Sequence, residues 1–240
     1  MATVESSTVI SPAMTARAGV PELCAGDQLT RAEFERRYSA MPNVKKAELI
    51  EGEVYMPSPV SRKHAGPQAK IITWLGYYWS ATQGVESCDN ATVRLDLENE
   101  PQPDGFLRIL PQCGGQSWDD DEFVGGAPEL VAEIAASSVS IDLHKKLRVY
   151  QRNGVREYLV WRVSDLAIDW FGLREGRFER LPSSDAGGCR SEVFPGLWLD
   201  SAALLRGDFA RVMAVLQEGI ASPEHAAFVA KLAGASVGAK

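Results

Sequence analysis

The sequence predicts an α/β (α+β) fold in which a mixed central β-sheet is flanked by helices. Two observations carry that prediction. Along the chain the patterned segments run helix, hairpin, helix, strands, helix, strands, an order that a mixed sheet with helices on its faces accommodates. At 240 residues the chain has the length of one domain with trimmings, enough for a sizeable core, and no internal repeat or second domain interrupts it.

Taken in order, residues 1–26 are rich in Ser, Thr, Ala and Gly without periodicity and read as a flexible tail. Thr30 followed by Glu33 is a capping-box signature, so a short helix is expected over about 31–39. AELIEGEVYM then places two β-rich arms around Glu51-Gly52, where glycine supplies the positive φ of a hairpin turn. Counting outward, Ile50 should face Glu53, Leu49 should face Val54, and Glu48 should face Tyr55.

From Ser61 to about Gln83, Ile71, Trp74, Leu75 and Tyr78 recur at helical spacing, with Pro67 near the first turns. ATVRLDLE and GFLRIL alternate like strands, whereas the Gly-rich, acidic stretch Cys113 to Ala127 reads as a surface loop. ELVAEIAA is a short β run. Asp142 to Arg152 has a helical pattern closed by Asn153-Gly154. VREYLVWRV, AIDWFGLR and GRFERLP follow as three strands, the last two joined at Glu175-Gly176. SAALLRGDFARVMAVLQEGI closes the domain as a helix, and the Ala-rich end is weakly patterned.

Composition narrows the function. A net charge of −7 argues against a strongly basic nucleic-acid binder but leaves room for an enzyme using a local basic strip and metal ions. The four cysteines form no CxxC pair, so neither a zinc ribbon nor a disulfide framework is signalled, and a cytoplasmic location is expected. The N-terminus lacks the apolar segment of a secretory signal, and no apolar run is long enough for a membrane span. His144 and His225 read as surface residues.

Three polar residues stand against apolar surroundings. Asp104 follows Gln102-Pro103 into a strand, Glu133 sits inside ELVAEIAA, and Lys146 shares a helix face with Asp142 and Tyr150. Each has a plain alternative. Asp104 could be a turn residue, Glu133 the partner of a structural cation, and Lys146 one half of an exposed pair with Asp142. Two carboxylates on neighbouring strands instead repel unless a cation lies between them, and Mg²⁺ is the natural occupant for hard oxygen donors. Such a metal activates water and neutralises a phosphodiester in flight, while a lysine adds positive charge.

The segments ELIEGEVYM, SPVSRKH, QPD, APELVAEI, DLHKKLRVY and GVREYLVW occur in register over about 28–205. This arrangement resembles the Uma-type restriction endonuclease family of the PD-(D/E)xK nuclease superfamily. The resemblance implies a restriction-endonuclease-like core, with a nuclease-like domain over 27–207 and a C-terminal helical extension over 208–240. It implies catalytic roles for Asp104, Glu133, Lys146 and Glu48. Asp104, Glu133 and Glu48 would be the metal ligands, for Mg²⁺ or for Mn²⁺ as its substitute. The usual superfamily lysine, two residues after the second acid, is absent because position 135 is Ala. The family's lysine comes from the next helix, four residues after an Asp and four before a Tyr. That spacing selects Lys146 over Lys145, whose loss should matter little. His64 matches a family histidine at a helix start. Where the family commonly reads Ser-Pro-Ser, this chain has Ala136-Ser137-Ser138.

The implied activity is a metal-dependent endonuclease acting on DNA, without membrane or small-molecule cofactor. A homodimer would suit cutting both strands. The alternative is a catalytically inactive nuclease-fold module that binds nucleic acid or a protein, which the acidic loop Asp119 to Glu122 favours.

Overall fold

The computed structural model describes residues 19–57, 60–136, 138–182 and 188–238. The expected tail up to residue 18, the Ser58-Pro59 part of SPVSRKH, and Ser137 therefore lie outside the described residues.

A helix α1 (Arg31–Ser39) comes first, over the expected range. The Thr30 hydroxyl makes no capping bond; Glu33 is instead drawn to the guanidinium groups of Arg36 and Arg37. The hairpin β1 (Glu48–Ile50) and β2 (Glu53–Tyr55) has the predicted register, residue for residue. Its turn places Glu51 at φ 53° and Gly52 at φ 75°, the two positive angles of a tight hairpin turn. Helix α2 (Arg62–Ser80) buries Ile71, Trp74, Leu75 and Tyr78, the stripe read from the sequence.

The main sheet is built from β3 (Val85–Cys88), β5 (Gly105–Ile109), β8 (Leu130–Ala135), β9 (Glu157–Arg162), β10 (Ala167–Arg174) and β11 (Arg177–Arg180). These six strands lie in the order β11-β10-β9-β8-β5-β3. β8 and β9 run parallel and their other neighbours antiparallel, so the sheet is mixed as expected. The parallel pair is joined through a π-helical turn (Ile141–Lys146) that continues as α3 (Leu147–Arg152). Strand alternation sorts β8 between two cores. Leu130, Ala132 and Ile134 join the core under α2, while Val131 and Ala135 join the core containing Phe106, Tyr150 and Tyr158. Glu133 shares the parity of that second set.

Four segments differ from expectation. The stretch read as a loop contains a hairpin, β6 (Trp118–Asp120) and β7 (Phe123–Gly125), and β7 pairs with the short β4 (Val93–Arg94). Gly125 serves packing: a Cβ there would lie 2.2 Å from the Trp118 ring. ATVRLDLE keeps only β4 as strand, because the chain turns back at Asp96–Asn99. The closing helix is two, α4 (Ser201–Arg206) and α5 (Phe209–Ile220). They are broken at Gly207 in the left-handed region, and the Asp208 side chain caps the second.

The Ala-rich end forms α6 (Pro223–Gly238), which sends Phe228 and Leu232 into the larger core. Leu204, Val212 and Leu216 enter the same core. The strands β12 (Gly188–Arg190) and β13 (Trp198–Asp200) form a small separate pair. His225, expected at the surface, is buried, with Nε2 2.9 Å from the Thr82 hydroxyl.

Candidate active site

The backbone places Asp104 and Glu133 together. β5 and β8 pair antiparallel with Gly105 opposite Ala132 and Phe106 opposite Val131. One step further, Asp104 stands opposite Glu133, where the β5 ladder ends and β8 continues. The Ile134 N–H then donates to Asp104 Oδ2 at 2.7 Å instead of to another strand. His64, from the first turn of α2, brings Nε2 to 3.1 Å of the same oxygen, and Lys46 Nζ lies 3.9 Å from Oδ1. Burial opposes ionisation of Asp104, but the His64 and Ile134 hydrogen bonds and the Lys46 charge outweigh it and hold the carboxyl below its usual range.

Glu133 occupies the deeper half of the site and is 3 % exposed. Its Oε1 accepts from Lys146 Nζ at 2.9 Å and from the Tyr150 hydroxyl at 2.8 Å. Lys146 is equally buried and donates a second bond, also of 2.9 Å, to Glu48 Oε1, with Asp142 Oδ1 at 4.0 Å. The same Glu48 oxygen accepts from the Gln102 backbone N–H at 2.8 Å, tying the hairpin to the strand entry that carries Asp104. One ammonium thus stands among three carboxylates. Burial is the main reason Glu133 is pushed up to about 8, and Asp104, Asp142 and Glu48 add to it against the pull of Lys146. Burial pushes Asp142 up as well. Lys146 moves the other way from a desolvated amine: Glu133, Glu48 and Asp142 together keep it charged far above neutral pH.

All four residues singled out from the sequence therefore lie in one buried cluster, though with different partners. Asp104 turns toward His64 and Lys46, whereas Glu48 and Glu133 are joined through Lys146. The reading of Lys146 as half of an exposed pair with Asp142 does not survive, since both side chains are buried. Lys145 is not idle either. Its ammonium meets Glu53 Oε2 at 2.6 Å and the Tyr55 hydroxyl at 2.7 Å, holding β2 as Lys146 holds β1. Lys46 went unnoticed in the sequence, where nothing links it to QPD across more than fifty positions. Two of the acids in the loop Asp119 to Glu122 are engaged, Asp119 with Arg108 and Asp120 with Arg94.

Among the described residues, no three His, Cys, Asp or Glu side chains stand close enough to hold a metal ion by themselves. A hard cation that keeps several waters needs only one or two carboxylates from the protein, and Asp104 with Glu133 supplies that number. The crowding of three carboxyl groups around the single Lys146 ammonium is the second sign that the donor set suits a divalent cation.

A family model described as "Uma2: Putative restriction endonuclease" matches residues 31–202. One solved structure, described as "a putative nuclease belonging to DUF820 from Anabaena variabilis", aligns with a TM-score of 0.53. The two chains are 11% identical, and the alignment covers 75% of this chain and 97% of that one, a likeness of fold. No curated protein matches the chain. With the family model spanning well over half of its residues, the chain belongs to the Uma2 family.

Proposed function

We propose that this protein is a metal-dependent endonuclease that hydrolyses phosphodiester bonds in DNA. The observation carrying the reading is that Asp104, one step beyond the β5–β8 ladder, accepts from the Ile134 N–H beside Glu133, while Lys146 joins Glu133 to Glu48. The nuclease-type family and fold agree with it in class.

In this reading Asp104 and Glu133 would hold Mg²⁺, or Mn²⁺ in its place, and Glu48, expected from the sequence as a third ligand, would line the site through its bond to Lys146. When bound, the metal supplies Lewis-acid charge and lowers the pKa of a water. The protein's own part is placement. The Ile134 N–H and His64 fix the Asp104 carboxylate, and Lys146 with Tyr150 fixes that of Glu133, so neither has to reorganise during reaction. Glu133, Glu48 and Asp142 hold the Lys146 ammonium charged, so its contribution in this reading is the charge it sets against the carboxylates. A homodimer would bring two such sites to one duplex, and the four free cysteines suit a cytoplasmic setting.

The test is cleavage of supercoiled plasmid by the purified protein with Mg²⁺, alongside Asp104→Asn and Glu133→Gln variants prepared in parallel. Activity present in the first and lost in both variants supports the reading; equal activity in all three contradicts it. A non-catalytic nuclease-fold module is the second reading, favoured by the Lys146 ammonium already spanning Glu48 and Glu133. Calorimetric titration with Mg²⁺ and Mn²⁺ separates the two, because the module binds neither.

A further inference from the structure

We infer that Lys46, rather than Lys146, is the lysine that meets the phosphate of the substrate. The inference rests on the nuclease reading and assigns the substrate-facing cation within it.

An acidic pocket that admits a phosphodiester needs a cation at its mouth, placed where the substrate oxygen arrives. Lys146 cannot serve. Its side chain is 6 % exposed, and its ammonium is committed to Glu48 and Glu133, with Asp142 behind. Withdrawing it toward a substrate would leave three buried carboxylates uncompensated. Lys46 has the opposite setting. It lies just before the hairpin on the Asp104 side, with a quarter of its side chain open to solvent.

Two of its three N–H groups are fixed, one on the Gln102 carbonyl and one on Asn90 Oδ1, each at 3.0 Å. For the third, Asp104 Oδ1 lies 3.9 Å away, beyond hydrogen-bond reach. The ammonium is thus held in place by the strand entry that carries Asp104, with one N–H left for an incoming oxygen. His64 stands on the other oxygen of the same carboxylate. Asp104 is therefore flanked by both residues at the outer side of the site, while Lys146 and Tyr150 flank Glu133 on the inner side. Division of labour follows from burial: the inner lysine neutralises the ligands, and the outer one meets the phosphate.

The experiment measures binding of a short fluorescein-labelled DNA duplex by anisotropy, with Ca²⁺ as the metal and salt varied from about 50 to 200 mM. Wild type, Lys46→Gln, Lys46→Arg and a remote control, Lys231→Gln on α6, are compared. Calcium affinity without DNA is measured for each by calorimetry. Lys46→Gln is expected to weaken duplex binding by roughly fivefold to tenfold and to lower the salt slope by about one. Its calcium affinity should stay within about twofold of wild type, Lys46→Arg should recover the slope, and Lys231→Gln should change nothing.

Wild-type affinity and slope in Lys46→Gln overturn the inference alone, leaving the nuclease reading intact if wild type still binds and cleaves. Parallel loss of calcium and duplex binding also overturns it, making Lys46 a positioning residue for Asp104. If wild type binds no duplex, both the reading and the inference fall.

Discussion

Replacing Lys146 with methionine keeps most of the side chain's length while removing its charge. The ammonium lies 2.9 Å from Glu48 and 2.9 Å from Glu133. At an effective dielectric near 20, each such contact is worth about 6 kcal/mol of gross attraction. Desolvating the ammonium returns several kcal/mol of that. Stranding buried carboxylates without their cation should leave a net loss of about 3–5 kcal/mol. For a chain of this size that lowers the melting temperature by roughly 6–20 °C. Urea denaturation followed by circular dichroism, with and without Mg²⁺, reads both the loss and its remedy. A divalent cation should stabilise Lys146→Met more than wild type, because the carboxylates have lost their competing charge. A variant within about 1 kcal/mol of wild type would mean that the carboxylates are well solvated without the lysine, and the reasoning would be refuted.

Further outcomes follow from neighbouring contacts. Lys145→Ala removes partly exposed bonds to Glu53 and Tyr55, so it should cost only about 1 kcal/mol, less at high salt, and keep plasmid cleavage within a few-fold. Urea titrations at low and high salt check the first part, and a large loss of cleavage would show that β2 positions Glu48 through Lys145. Glu157 begins β9 and is pushed up to about 7 by burial, against bonds from Ser191, the Glu192 and Val193 N–H groups and Trp170. Because its folded value is raised, the stabilisation is full below the unfolded value of about 4.3 and is lost as pH rises through about 7. Glu157→Gln should flatten the fall of stability across that window; an unchanged slope in pH-resolved melts would remove Glu157 as its source.

What the sequence disclosed depended on whether the determining contacts were local. The hairpin register was countable because Glu51-Gly52 fixes the turn and every pair follows from it. The α2 stripe was legible for the same reason, its period lying within one helix. Lys146 was not legible as buried, since an i, i+4 partner at Asp142 looks like an exposed pair until Glu48 arrives from ninety-eight positions away. His225 was missed likewise, its partner Thr82 lying across the core. For α6 a local signal did exist. The Ser222 hydroxyl accepts from the His225 N–H, and Pro223 opens the helix, a start signature that the alanine-rich sequence behind it obscured. Asp104 and Glu133 were separately conspicuous, but their opposition depends on the β5–β8 ladder, which no local pattern encodes.

The central claim is that Asp104 and Glu133 together hold the divalent cation. A crystal soaked with Mn²⁺ and measured for anomalous scattering tests it most directly. The account predicts a peak within bonding distance of one carboxylate oxygen from each of the two residues, absent from Asp104→Asn crystals treated in the same way. Manganese bound elsewhere, or no peak at a concentration that supports plasmid cleavage, would contradict it.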